Sequence, residues 1–471
     1  MTVRLRLLRA VGHRALPVLV LAMIGCMGSE PVRPLVTDST AVGASTDIAS
    51  GGGMTVYDAS SQAFGQPGPT LSAQQLAAHQ IGDAAFDMTF VPAPAPVNPG
   101  LGPRFDNVSC SSCHQNDGRG RPPAPGEQFA SLLFRSSVPE TDAHGGPEPA
   151  PGYGTQLELR AVVGLTPMAA MGLQYTDSID FFADGTPDTL HVPHYTLNAP
   201  YRAVPAGILL SPRAAPPNFG LGLLGAVPAS TITAAASSPE ALAAGVAGHA
   251  NYVWDPTTQS VVLGRFGLKA NVGSLLAQVA SALNADMGVT NSVFPNEPCD
   301  DPIPGCLAHD PDISDSLLAA ITTYIRTLGV PARRGASDTQ VLRGQTLFSS
   351  VGCALCHTPT AETGTVSTDP ELSGQRIHPY TDLLLHDMGP ALADGRSDYL
   401  ATGSEWRTPP LWGVGLTAVV SGPTTFLHDG RARSLLEAIM WHGGQGAAAR
   451  EHVRNMSAAD RNALVAFLLS L

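Results

Sequence analysis

The sequence predicts a mainly α protein in two domains, the first enlarged by long Pro/Gly-rich loops. Three observations lead there. A Gly-x-x-x-Phe segment followed by Cys-x-x-Cys-His occurs twice: Gly82 to Phe86 precedes Cys110, Cys113 and His114, and Gly344 to Phe348 precedes Cys353, Cys356 and His357. The chain's 471 residues are more than one hydrophobic core usually serves. Between the two copies, residues 122–331 are dense in Pro and Gly and offer only short helical stretches, Gly273 to Leu283 and Ser314 to Leu328.

The N-terminus places the protein. Arg4, Arg6, Arg9 and Arg14 precede an apolar stretch from Ala15 to Ile24 that is too short to span a bilayer and shaped like a signal peptide. Met23-Ile24-Gly25-Cys26 then resembles a lipobox, so Cys26 is the expected lipidation site, with a plain signal peptide as the alternative. Residues 1–26 are read as this leader and 27–54 as a flexible tether of small and polar residues. Residues 55–335 then form the first domain with its insertions, and 336–471 the second. The expected setting is the bacterial periplasm or outer membrane, with membrane contact only through the lipid anchor.

A net charge of -13 without an internal basic run argues against nucleic acid as a partner. Of seven cysteines, one belongs to the lipobox, four to the two motifs, and Cys299 and Cys306 remain as a candidate disulfide for an oxidising compartment. No cysteine is left for a thiol active site.

In the second copy Ser337 is placed to cap a helix with Val341, Leu342, Gln345 and Phe348 on one face. Ser457 with Asp460 has the form of a capping box, and Leu464, Phe467, Leu468 and Leu471 follow at helical spacing. Two such helices around the motif look like a cytochrome c domain, with Gly344 the small residue that lets them approach. The fold expected is therefore two cytochrome c-like domains.

In Cys-x-x-Cys-His the two sulfurs bond to porphyrin vinyl groups and the histidine ligates the iron. A zinc half-site or a thioredoxin-like pair would not need the terminal histidine, which both copies carry. Two c-type haems are thus expected, with His114 and His357 as iron ligands. The group opposite each histidine decides between an electron carrier and a site open to a small molecule.

Trp406 to Trp412, Phe426-Leu427-His428-Asp429-Gly430 and Ser434 to Ala438 resemble the C-terminal half of bacterial dihaem cytochrome c peroxidases. Tyr380 to Gly389 and Phe105 to Gly120 resemble more closely the related di-haem oxidoreductases, also labelled thiol oxidoreductases. Together the resemblance covers nearly everything from Gly52 to Leu471. The peroxidases place a methionine ligand fourteen residues beyond the histidine of His-Asp-Gly. Counted from His428 that position is His442, so the resemblance implies a bis-histidine second haem, with Met440 as the substitute if the register shifts. Leu276 to Gly288 resembles the segment that carries the peroxidases' acid/base carboxylate, which implies that role for Asp286, a helix-capping aspartate being the alternative. The second ligand of the first haem stays open among His144, His378, His386, Met168 and Met388, of which His386 and Met388 lie in the family's most typical stretch. Calcium between domains is known in the peroxidases, without identifiable ligands here. Trp412 and Trp441 could carry electrons or simply wall the porphyrins.

The resemblance implies a peroxidase-like oxidoreductase that takes electrons from a redox partner protein in the cell envelope and acts on peroxide or a small organic substrate. The alternative is a pure electron-transfer protein with both irons ligated on both sides.

Overall fold

Helices begin where a side-chain oxygen can satisfy the free N–H groups of a first turn. In the computed structural model Ser72, Ser274, Ser314, Asp338, Ser434 and Ser457 do this for helices α1 (Ala73–Phe86), α2 (Leu275–Met287), α3 (Asp315–Thr327), α4 (Thr339–Ser350), α5 (Leu435–Met440) and α6 (Ala458–Ser470). The cap of α4 is Asp338, one residue beyond the expected Ser337. The structure describes residues 47–297 and 311–471. The leader with Cys26, the tether up to residue 46 and the Cys299/Cys306 pair lie outside these residues. The tether read as 27–54 gives way to packed chain by Asp47, since Asp47 and Met54 are both buried. Residues on either side of the expected division at 335/336 belong to one compact unit, Ala44–Leu471.

The Gly-x-x-x-Phe repeat corresponds to a repeated helix crossing. α1 packs on α3 and α4 packs on α6. A Cβ added at Gly82 would overlap the Ala320 carbonyl oxygen and lie 2.7 Å from the Tyr324 Cβ; at Gly344 it would overlap the Ala463 carbonyl oxygen and lie 2.7 Å from the Phe467 Cβ. The phenylalanine one turn later meets the same partner, Phe86 with Tyr324 at 5.3 Å and Phe348 with Phe467 at 5.1 Å between ring centroids. Each phenylalanine also stands 6.3 Å from the histidine ring of its own motif. Gly344→Ala would gain about 1 kcal/mol of helix propensity but force the backbones apart, an overpacking cost of about 1–3 kcal/mol or more. We expect a net loss of roughly 1–2 kcal/mol in denaturant unfolding; unchanged stability would mean the α4/α6 contact yields freely.

The expectation of a mainly α chain made of two cytochrome c-like domains is corrected. Of the described residues 30% are helical and 20% strand, in many small sheets, and no cytochrome c-like domain is shown among them. Much of the strand lies between the motifs, in the region read as loops. β1 (Leu132–Ser137) pairs antiparallel with β4 (Leu209–Ala214), and between them β2 (Ala170–Phe181) and β3 (Pro187–Asn198) make a hairpin of two twelve-residue strands. Leu132, Phe134, Tyr153, Leu157 and Met168 form a small core under β1 and β4. In the second half, β5 (Leu385–Asp387) pairs with β6 (Glu405–Arg407), setting His386 opposite Trp406. The largest core joins α1, α2 and α3 to Phe219, Phe266 and Trp412, and a second gathers Phe348, Tyr380, Leu464, Phe467 and Leu468 behind Cys353.

Candidate functional site

Both Cys-x-x-Cys-His motifs open onto one cavity of about 1030 Å³, lined mainly by apolar groups. That is as large as the top of the range for a single small-molecule site, ~300–1,000 Å³. The first motif forms one helical turn, Cys110–Cys113, capped by Ser109, and the second a 3-10 turn, Cys353–Leu355. These turns bring both cysteines and the histidine of each motif to the cavity wall. All four thiols are free. Burial, reinforced by the Asp286 charge, pushes Cys110 and Cys113 up to about 12, and burial, with Cys356 adding to it, pushes Cys353 as far.

The imidazoles are neutral, the form that ligates a metal. Burial holds His114 down to about 4; burial and the neighbouring His442 do the same to His357. Nδ1 of His357 donates to the Tyr380 carbonyl at 3.0 Å, and Nδ1 of His442 donates to the Ala438 carbonyl at 2.7 Å. A backbone acceptor on Nδ1 fixes the tautomer and leaves Nε2 as the metal-facing nitrogen, the usual support of a ligand histidine. The structure therefore brings His442, at the end of α5, to the same motif as His357.

His386 and Met388 also belong to the second motif. His386 Nδ1 is 3.5 Å from Cys356 Sγ and 3.1 Å from Gln445 Oε1, and its Nε2 is 2.9 Å from Asp382 Oδ2. Burial disfavours its charge, but the bonds to Asp382 and Cys356 outweigh that and raise it to about 10. The Met388 methyl and the His442 side chain both flank Gly446. Cys356, Asp382 and His386 form the grouping of potential metal donors found among the described residues. Its thiol and imidazole are unlike the all-oxygen set that calcium takes.

At the first motif the nearby acid is Asp286, on the last turn of α2. It lines the cavity, accepts from Gln156 Nε2 at 2.9 Å and faces Arg135 at 3.9 Å; burial raises its carboxyl above the usual range. A residue given no role from sequence stands out as well. His428 is buried and stacked on Trp406 at 3.8 Å, with no hydrogen-bond partner on Nε2. Burial holds it down to about 4. The His-Asp-Gly sequence marked the position but not the ring's surroundings. Trp412 lines the cavity, whereas Trp441 packs in a separate small core.

Among the described residues the wall also carries three guanidinium groups that make no direct ion pair, although Asp429 acts on Arg119 and Asp382 on Arg407 through space. Arg119 donates to the Thr425 and Leu427 carbonyls, Arg265 to those of Leu224 and Val227, and Arg407 to those of Gly267 and Thr408. Desolvation pulls all three below the ordinary arginine value. Buried cations hydrogen-bonded to carbonyls rather than to carboxylates suit an anionic ligand. A flat apolar group with carboxylate arms, as haem is, fits an apolar cavity with cations on its wall.

An apolar cavity with two sets of neutral histidines and thiols, and with cations for carboxylate arms, defines a haem-binding oxidoreductase. Residues 45–471 match the family described as "Di-haem oxidoreductase, putative peroxidase", and the chain belongs to that family. Among curated proteins nothing matches at a significant level. One solved structure with some likeness, hydrazine synthase from Kuenenia stuttgartiensis, is 21% identical over 36% of this chain, with a TM-score of 0.23. The match spans 59% of that chain, and a likeness this slight bears neither on fold nor on activity.

Proposed function

We propose that the protein carries one covalently attached haem at Cys110/Cys113/His114 and one at Cys353/Cys356/His357, and reduces a peroxide at the first. Bound there, haem would supply a one-electron redox centre able to react with a small oxidant. The observation that carries the reading is the asymmetry of the cavity. The second motif faces another imidazole, His442, whereas the first faces a carboxyl, Asp286. His357 and His442 would both hold the haem of the second motif, which suits electron entry from a redox partner protein. Asp286 would hold and return a proton at the peroxide oxygens. The leader read in the sequence supports export and lipid anchoring in the cell envelope, the compartment in which such attachment takes place.

Stopped-flow mixing of the reduced protein with hydrogen peroxide tests this. We expect oxidation of both haems by one peroxide, since splitting the O–O bond to two waters takes two electrons and two protons. No reaction would favour the electron-transfer reading, in which both irons are ligated on both sides; the buried Nε2 of His428, which makes no hydrogen bond and has Asp429 Oδ2 3.8 Å away, is the observation on its side. His442→Met, which substitutes a soft thioether for a stronger donor, is expected to raise the potential of the second haem in a redox titration and leave the first unmoved. An unmoved second potential would remove His442 from the ligand set.

A further inference from the structure

Behind Asp286, away from the cavity, lies a second carboxyl. Asp106 is 3% exposed, and so is Gln156, whose side chain joins the two acids. Gln156 Nε2 is 2.7 Å from Asp106 Oδ2, 2.9 Å from Asp286 Oδ1 and 3.1 Å from the Ala285 carbonyl, while its Oε1 is buried without a partner. A primary amide has two N–H groups to give. Three acceptors thus compete for two hydrogens, and a good acceptor beside them goes unused. A proton on one carboxyl removes the repulsion between two buried negative charges that share one amide donor.

The surrounding charges do not remove the conflict. Arg135 faces Asp286 at 3.9 Å. Arg160 donates to the Asp106 carbonyl and to Asn107 Oδ1 rather than to the carboxylate. Leu159 N–H reaches Asp106 Oδ1 at 3.0 Å. On the far side Glu158 adds a buried carboxyl, flanked by Arg104 and Glu297, and Cys110 faces Asp286 from the first motif. Burial above all, with the Asp286 charge adding to it against the Leu159 and Gln156 bonds, pushes Asp106 up to about 7. Two carboxylates held by one amide in so dry a place do not both ionise near neutrality.

We propose that Asp106 is a positioning residue for the acid at the first motif: through Gln156 it makes a pair with Asp286 that holds one proton at neutral pH, ready before the substrate arrives. The inference rests on the peroxide-reducing role given to Asp286 above. In the balance of hydrogen peroxide, two electrons and two protons to two waters, an envelope one-electron donor protein acts twice. The pair delivers one proton to the departing oxygen and is refilled from solvent, which also supplies the second. Because the two groups titrate together, the apparent values belong to the pair.

The test is the pH dependence of peroxide reaction in the holoprotein, with infrared spectra of the carboxyl groups as a second readout. Wild type is expected to lose rate as pH rises through about 7, where the pair gives up its proton. Asp106→Asn keeps the shape and removes the partner, so the alkaline limb should move down by about one unit or more, a roughly tenfold loss at neutral pH with little change in acid. Gln156→Leu removes a donor to both carboxylates and should move the limb the opposite way. The wild type minus Asp106→Asn infrared difference near pH 6.5 should show a protonated carboxyl band that shifts in heavy water. Superimposable limbs in all three proteins, or no carboxyl difference band, would overturn the proposal. If wild type does not react with peroxide, the peroxide role fails on its own account and the infrared difference alone decides whether the proton is there.

Discussion

Asp286→Asn is expected to lower the rate of peroxide reduction by about 10²–10⁴-fold, the usual contribution of a positioned acid/base group. The amide matches the carboxyl in shape, so Gln156 and Arg135 keep a neighbour of the same size. What is lost is the exchangeable proton on the cavity wall. Haem content and visible spectrum should be unchanged, which separates this outcome from simple failure to mature. Stability provides a second check with a defined sign. The Asp286 carboxyl is raised by burial, so the folded protein binds its proton more tightly than the unfolded chain does. Its contribution is therefore least unfavourable in acid, and it becomes a cost as pH rises through the raised value. At pH 7 the Asn variant should be as stable as wild type or more so, while in acid the difference should vanish. A rate within a factor of three of wild type, measured with both haems in place, would remove Asp286 from the chemistry.

Replacing Cys353 and Cys356 together by Ala should leave one covalent haem per chain and abolish turnover with a protein electron donor. The two thiols lie on the wall of the cavity, Cys353 packed against the core around Phe348 and Phe467, with no role among the thiols of the first motif. Loss of attachment at the second motif should therefore spare the first. The haem count by pyridine haemochrome after acid-acetone extraction is expected to fall from two to one. The companion variant, Cys110 and Cys113 to Ala, should also retain one haem but lose reaction with peroxide. If either variant keeps two non-extractable haems, the motifs do not do the attaching.

How much of this was legible in the sequence varies with the range of the interaction. Local signals held. Both Gly-x-x-x-Phe segments are helices that cross a partner at the glycine, and Ser457 caps α6 through the Asp460 N–H. The strands between the motifs went unread because Pro and Gly density was taken for loop. Yet Leu173 and Tyr175 alternate on β2, Tyr195 and Leu197 on β3, and Asp184-Gly185 at the turn is a strong hairpin signal, with Gly185 at φ +82°. His386 and Met388 were offered as ligands at the first motif and stand beside the second. The β5/β6 pairing, which turns their segment toward Cys356 and His442, is a contact between strands and leaves no local trace. The Asp106, Gln156 and Asp286 group could not have been found at all without coordinates, because residues 50 and 130 positions apart meet only in the folded chain.

The central claim is that the two motifs hold unlike haems, one closed by His357 and His442 and one open beside Asp286. Low-temperature EPR of the ferric protein, before and after hydrogen peroxide, tests it most directly. The account predicts one low-spin signal that persists after peroxide and one high-spin signal that peroxide removes or changes. Two low-spin signals that ignore peroxide would contradict it.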